Sequence, residues 1–276
     1  MTATGSTVIP PGVVFVTGGA RGLGNAVACA FAREGCREIV LVDILSDEAM
    51  KQGKREVEQC GAKCLLLKCD VTDENQVRDA VQQTVATFGR LDYAINAAGI
   101  QGPPQYVGDL DTTGFEKCLK VNTMGTLNCL KHQIQQMVKQ EALSLGDNRQ
   151  SPQRGAIVNF ASVNSMLGGH NISAYVTSKH AIVGMTKAAA IEYRDKQIRI
   201  NCLSPGYIWS AFAEQAIKAA PENQKRWEEL QRRQGRVGHT QEIGDATVML
   251  CSPRLSLVNA HNLVCDNGFS QNADSF

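Results

Sequence analysis

The chain has 276 residues, 43% of them apolar, and its 28 basic and 27 acidic side chains leave a formal charge of +1. That length suits one large α/β domain or two small ones, and the even mixing of charge excludes the basic footprint of a nucleic-acid or anionic-membrane binder. No run approaches 18 apolar residues, and the first twelve residues are short and polar with no charged-then-apolar order. The expectation is a cytoplasmic, soluble protein without a membrane span.

Strands and helices alternate along the chain. Val13–Thr17 is an apolar, β-branched run that stops at a glycine cluster, which predicts a buried strand. A helix is expected over about 22–34, then a second strand, Glu38–Asp43, that ends in an acid. The pattern repeats with a helix over 46–60, strand Lys63–Lys68, helix Glu74–Phe88 and a strand over 91–95. One long helix is expected over 113–140, then a strand over 156–160, a helix over 173–193 with Ser173 as its N-cap, and a strand over 198–203. Helices near 209–219, 222–234 and 240–251 precede a last strand, Asn262–Cys265. Strands rich in Val, Ile and Leu between helices of ten or more residues describe parallel βαβ units covered on both faces. The predicted class is therefore α/β, a doubly wound parallel sheet of about seven strands, with residues 1–276 as a single domain. Residues 141–154, rich in Gln with Gly146 and Pro152, read as a surface insertion, and 207–238 as a lid at the carboxyl edge of the sheet. Seven of the ten cysteines are scattered through expected helices and strands, and Cys60, Cys64 and Cys69 show neither paired C-x-x-C spacing nor a nearby histidine, so buried, reduced thiols are expected and no metal site.

Two stretches carry chemistry. Between the first strand and first helix lies Thr17-Gly-Gly-Ala-Arg-Gly-Leu-Gly24, where Gly18 permits a tight turn and Gly22, Leu23 and Gly24 bring backbone amides and a helix start toward a diphosphate. Asp43, followed by Ile44, ends the second strand 19 residues after Gly24, and a carboxylate there accepts ribose hydroxyls and repels a 2′-phosphate. That favours NAD; Arg21 within the turn argues for NADP. The second stretch is Tyr175-Val-Thr-Ser-Lys179, a phenol and an ammonium at helical i,i+4 spacing. A fixed cation beside a phenol favours the phenolate, although the same spacing also occurs on ordinary solvated helix faces.

Taken together these residues resemble the short-chain dehydrogenase/reductase family, over Val13 to about Gly268. Thr17-Gly18-x-x-x-Gly22-x-Gly24 matches its cofactor turn, and Asp70-Val71 its adenine-binding pair. Asn96-Ala97-Ala98-Gly99 matches its Asn-Asn-Ala-Gly stretch, with alanine in the second asparagine's place. Asn122, Ser162 thirteen residues before Tyr175, and Lys179 complete a catalytic tetrad; Pro205-Gly206-x-Ile208, with Ser210, resembles the nicotinamide-contacting loop. The resemblance implies a Rossmann-like sheet of order 3-2-1-4-5-6-7, a homotetramer or homodimer, and hydride transfer between a nicotinamide cofactor and a small-molecule alcohol or ketone. In that scheme Tyr175 is the acid/base, Lys179 lowers its pKa, Ser162 orients the substrate oxygen and Asn122 holds a water on the proton path. Gln101, Asn164, His170, Tyr207, Trp209 and Phe212 are the expected substrate wall, and the aromatic members suggest a ring-containing or apolar substrate. A non-redox use of the same fold and a cofactor-sensing binding protein stay open.

Overall fold

A computed structural model describes residues 8–143, 152–210, 213–214, 217–218 and 223–272. Its centre is one seven-stranded sheet of order β3-β2-β1-β4-β5-β6-β7, parallel at every pairing. The strands are β1 (Val13–Thr17), β2 (Glu38–Asp43), β3 (Lys63–Lys68), β4 (Tyr93–Asn96), β5 (Gly155–Phe160), β6 (Ile198–Pro205) and β7 (Asn262–Cys265). The register places Thr17 beside Asn96, Asn96 beside Asn159 and Asn159 beside Cys202, so the carboxyl ends of the central strands share one edge.

The helices follow the same logic. They are α1 (Gly22–Arg33), α2 (Asp47–Gln59), α3 (Glu74–Phe88), α4 (Thr112–Leu119), α5 (Gly125–Met137), α6 (Ser173–Glu192), α7 (Asn223–Arg233) and α8 (Thr240–Cys251). Alternate strand residues feed opposite layers. Val14 and Val16 join Val27 and Phe31 of α1 and Ile243 and Val248 of α8 in one apolar cluster. Phe15 joins Val77 of α3, Leu130 and Ile134 of α5 and Ala190 of α6 in the other. Small residues let α1 and α8 approach: a Cβ on Gly244 would stand 2.9 Å from the Ala26 carbonyl oxygen. No helix of the described residues is long and apolar enough to cross a membrane.

Three expectations are corrected. The single helix over 113–140 is α4 and α5 joined by a π-helical turn, Lys120–Met124, in which Gly125 N–H reaches back to the Lys120 carbonyl. Ser173 does not cap α6: the cap position is Ile172 without a side-chain bond, and the Ser173 hydroxyl is buried with no partner among the described residues. The cysteines are unpaired, but Cys29, Cys60 and Cys265 are only half-buried. Of the insertion, the described ends pair, with Leu143 N–H donating to the Gln153 carbonyl at 2.8 Å and the reverse bond at 3.3 Å.

Beneath the carboxyl edge runs a buried polar network. Asn96 Nδ2 donates to Gln133 Oε1 (3.0 Å) and Asn159 Oδ1 (2.9 Å), Gln133 returns a bond to Asn96 Oδ1 (2.8 Å), and Asn159 donates to Thr186 Oγ1 (3.0 Å). Every amide finds a partner, so the network joins β4, β5, α5 and α6 without stranding a polar group. The Asn96 side chain thus fixes the strand end that carries Ala97–Gly99.

Candidate active site

The glycine turn is shaped by contacts that only a missing side chain permits. Gly18 has φ +65°, and a Cβ there would stand 3.0 Å from the Ala98 Cα. Gly24 packs so close to the Gly18 carbonyl that any side chain would collide with it. Gly22, by contrast, has φ +60° and open space above it, as a backbone that faces a ligand requires. Replacement of Gly24 by alanine is therefore expected to cost about 3 kcal/mol in a denaturant titration and to abolish dinucleotide binding.

Asp43 closes one end of this turn. Its Oδ2 accepts Ala20 N–H (3.0 Å) and its Oδ1 accepts Ile44 N–H (2.8 Å) and Leu45 N–H (3.3 Å), which holds the carboxylate against the turn with acceptor capacity to spare. Ile44 beside it is 59% exposed, an apolar surface next to an acid. Arg21 stands exposed at the N-cap position of α1, and Leu23 packs partly into the core beneath. Across the groove Asp70 Oδ1 accepts Thr72 N–H (2.9 Å), and the Val71 carbonyl is held by Asn128 Nδ2 of α5 (2.9 Å). Where Ala97 replaces an asparagine, the backbone is pinned by Thr17 Oγ1, which accepts Ala98 N–H at 3.3 Å.

Ser162, Tyr175 and Lys179 converge above the end of β5. Ser162 is buried, accepts Asn164 N–H at 3.2 Å and is hydrogen-bonded to the Tyr175 phenol. Lys179 is 5% exposed; its Nζ lies 5.4 Å from the Tyr175 ring centroid and donates to the Phe160 carbonyl at 2.7 Å. Burial drives both groups toward their neutral forms. It pushes the Tyr175 phenol up to about 12, against the opposing bond from Ser162, and it pushes the Lys179 ammonium down to about 8. In the protein alone burial is the largest influence on the phenol, and Ser162 is the group that opposes it.

Asn122 sits in the π turn with both amide hydrogens committed. Its Nδ2 donates to the Ile100 carbonyl and to Ser178 Oγ, both at 2.9 Å, and its Oδ1 accepts Ile100 N–H at 2.8 Å. Ser178 in turn donates to the Tyr175 carbonyl (2.7 Å). The carboxamide is therefore a bracket between the Gly99–Ile100 backbone and α6. A Cβ on Gly99 would lie 3.1 Å from Asn122 Oδ1 and 3.8 Å from Lys179 Nζ, so this glycine keeps the space over the ammonium open.

The loop after β6 is held by a residue that carries no sequence signal. Buried Gln234, just past α7, accepts Tyr207 N–H at 2.7 Å and donates to the Tyr207 carbonyl at 3.2 Å, while Gly206 N–H donates to the Cys265 carbonyl at 2.9 Å. Pro205 ends β6, Ile208 is buried and bridges to Gly238, and Ser210 Oγ accepts Ala213 N–H at 3.4 Å, so its hydroxyl opens the next helical turn. The Tyr207 ring packs edge-on against Trp227 (5.4 Å) and Phe269 (5.0 Å). Trp209 is 46% exposed and lines a cleft with Gly22 and Asn25 of α1. Asn164 is buried behind Ser162, Gln101 is half-buried, and His170 is exposed, its carbonyl accepting Arg226 of α7 at 3.5 Å. Phe212 lies outside the described residues. Among those residues no cluster of His, Cys, Asp or Glu is arranged to hold a metal ion.

The residues present fit a dinucleotide: an open-faced glycine, an acid at the end of β2, and a buried ammonium with no carboxylate partner among the described residues. Residues 18–270 match the family described as enoyl-(acyl carrier protein) reductase. The short-chain dehydrogenase anuF of Penicillium roqueforti is 36% identical, over 93% of this chain and 95% of its own. The (+)-cis,trans-nepetalactol synthase NEPS1 of Nepeta racemosa is 33% identical, over 93% and 90%. Levodione reductase of Leifsonia aquatica is 35% identical, over 98% and 99%, and a crystal structure of levodione reductase aligns with TM-score 0.85 at 35% identity over 94% of this chain and 97% of that one. The chain belongs to the short-chain dehydrogenase/reductase family, whose members generally use NAD(P)(H).

Proposed function

We propose that the protein is an NAD-preferring oxidoreductase acting on a secondary alcohol or ketone with an apolar, ring-sized body. What carries this reading is the convergence of Ser162, Tyr175 and Lys179 opposite a turn whose glycines are spent on approach to a ligand. A bound nicotinamide supplies the hydride chemistry. Tyr175 exchanges the hydroxyl proton of the substrate, and Ser162 Oγ holds the substrate oxygen beside the phenol. Lys179, anchored on Phe160, offsets the negative charge of the phenolate; the positive charge of an oxidised nicotinamide adds to it and works against the burial that holds the phenol high. Asn122, through Ser178 and Ile100, keeps α6 and the Gly99 backbone in register for that exchange.

Residues 207–238 form the lid of this site, with Tyr207 and Trp227 as its apolar lining and the Arg226–His170 contact tying it to the opposite loop. Residues 1–276 act as one domain, and the 141–154 segment is a surface insertion. The protein works in the cytoplasm as a homodimer or homotetramer.

Asp43 supports the preference for NAD, since its carboxylate faces the turn where a 2′-phosphate would lie. Titration of Asp43→Ala is expected to weaken NAD by roughly tenfold and to narrow or reverse the gap to NADP. Tighter binding of NADP by the unaltered protein would assign the ribose pocket to Arg21. A second reading is favoured by one observation, the relative named as a synthase: the same pocket would then rearrange its substrate without net redox change. Turnover of a panel of cyclic alcohols and ketones, followed by the absorbance of reduced nicotinamide, separates the two. Product without any change in that absorbance supports the second.

A further inference from the structure

The function proposed above leaves one chemically active pair unused. Cys29, two turns into α1, and Cys60, at the end of α2, are half-buried thiols that influence one another electrostatically, and both line the cleft that opens onto Gly22, Trp209 and Ser210. Most of the remaining cysteines are buried among apolar side chains. The Cys29 thiol also donates to Asn25 Oδ1 at 3.6 Å. Asn25 is itself buried, and its Nδ2 donates to the Gly19 carbonyl (3.2 Å) in the glycine turn and to the Gly53 carbonyl (3.0 Å) of α2. A chain of interactions therefore runs from Cys60 through Cys29 and Asn25 to the backbone of the cofactor turn.

We propose that Cys29 and Cys60 are an oxidation site, closing a reversible disulfide that loosens the glycine turn through Asn25. With a peroxide as oxidant, the Cys60 thiolate attacks one peroxide oxygen, the O–O bond breaks, and hydroxide leaves with a sulfenic acid on Cys60. The Cys29 sulfur then displaces the sulfenic oxygen, so that two thiols and one hydrogen peroxide yield one disulfide and two waters. Burial raises the Cys29 thiol, and its proton leaves with the sulfenic oxygen as water when the bridge closes. Once bridged, Cys29 has no S–H to donate. Asn25 Oδ1 is left without that donor inside the protein, and its amide is free to turn away from Gly19. The cleft that both thiols line admits a small oxidant to them.

The test begins with the reduced full-length protein and hydrogen peroxide. Tryptic digestion should release one peptide pair joined through Cys29 and Cys60 and separated by dithiothreitol. Hydrogen–deuterium exchange over residues 17–24 should speed up roughly fivefold in the oxidised protein and return on reduction. Cys60→Ser, which keeps Cys29 and its bond to Asn25, should show neither effect. Cys29→Ser, which keeps a donor to Asn25, should also hold the turn at its reduced exchange rate under peroxide. A folded protein that forms no such pair overturns the proposal, as does a bridge that leaves exchange in the turn unchanged. Neither readout needs cofactor. NAD titration adds a separate check: failure of the reduced protein to bind NAD counts against the proposed function, whereas equal binding by both forms counts against this inference.

Discussion

Replacement of Tyr175 by phenylalanine is expected to lower kcat by about a thousandfold, the range of a positioned acid/base group, while NAD affinity changes by less than about threefold. The asymmetry follows from the contacts. The hydroxyl touches Ser162, whereas Lys179 is anchored independently on the Phe160 carbonyl and α6 is fixed through Ser178 and Asn122. Loss of the hydroxyl removes the proton donor and leaves the frame. A spectroscopic companion measurement exploits the elevated phenol: ultraviolet titration should find Tyr175 ionising near pH 12 in the free protein and at lower pH once NAD is bound, with the Phe variant lacking that signal. A drop in NAD affinity as large as the drop in kcat would mean that Tyr175 is a binding residue.

Replacement of Lys179 by methionine should abolish turnover and yet stabilise the protein near neutral pH by about 2 kcal/mol, or roughly 5 °C in Tm. The ammonium is held in a buried place that pushes it from 10.5 down to about 8, and its only hydrogen bond among the described residues is to the Phe160 carbonyl, whose loss offsets part of the gain. The direction with pH follows from proton counts. Between about pH 8 and 10.5 the unfolded chain holds more protons than the folded one, so wild-type stability rises with pH across that window, and below it the full cost of the buried charge is present. The methionine variant should lack that rise. Tyr175 acts oppositely at higher pH, where stability falls between about 10 and 12 as the unfolded phenol ionises first. Thermal melts of both proteins from pH 7 to 10 check this; a variant less stable than wild type throughout would show that the Phe160 contact outweighs desolvation. Stability given up for a reactive group is a common feature of active sites.

Much of this architecture is legible in the residues themselves. Val13–Thr17, Glu38–Asp43 and Lys63–Lys68 are strands with the ends that their apolar runs suggest, because fully or largely buried parallel strands demand continuous apolar sequence. The ends blur where side chains take over backbone bonding. The fourth strand begins at Tyr93 and not at Leu91, whose N–H is taken by Gln140 Oε1. The π turn before α5 has no local mark, neither glycine nor proline within Lys120–Met124; the Asn122 side chain, paired with both polar groups of Ile100, holds it open. Ser173 looked like a cap by type, but its hydroxyl is turned inward.

The site divides in the same way. Gly18, Gly24, Asp43, Ser162, Tyr175 and Lys179 could be found because their chemistry depends on residue type and spacing. Gln234, Trp227 and Asn25 could not, since each acts through a long-range contact, and a glutamine after a charged helix or an asparagine inside one announces nothing. Trp209 shows the converse. It lines the cleft beside Gly22 while the Tyr207 ring packs against Trp227 and Phe269, a separation that two positions in one loop do not reveal.

The central claim is that hydrogen leaves a substrate carbon for the cofactor under the control of Tyr175. Secondary cyclic alcohols carrying deuterium on the carbinol carbon, incubated with NAD and the protein, test it directly by mass spectrometry of the recovered cofactor. The account predicts deuterated reduced nicotinamide from the wild-type protein and almost none from Tyr175→Phe. Product accompanied by unlabelled or unreduced cofactor, or equal label from both proteins, would contradict it.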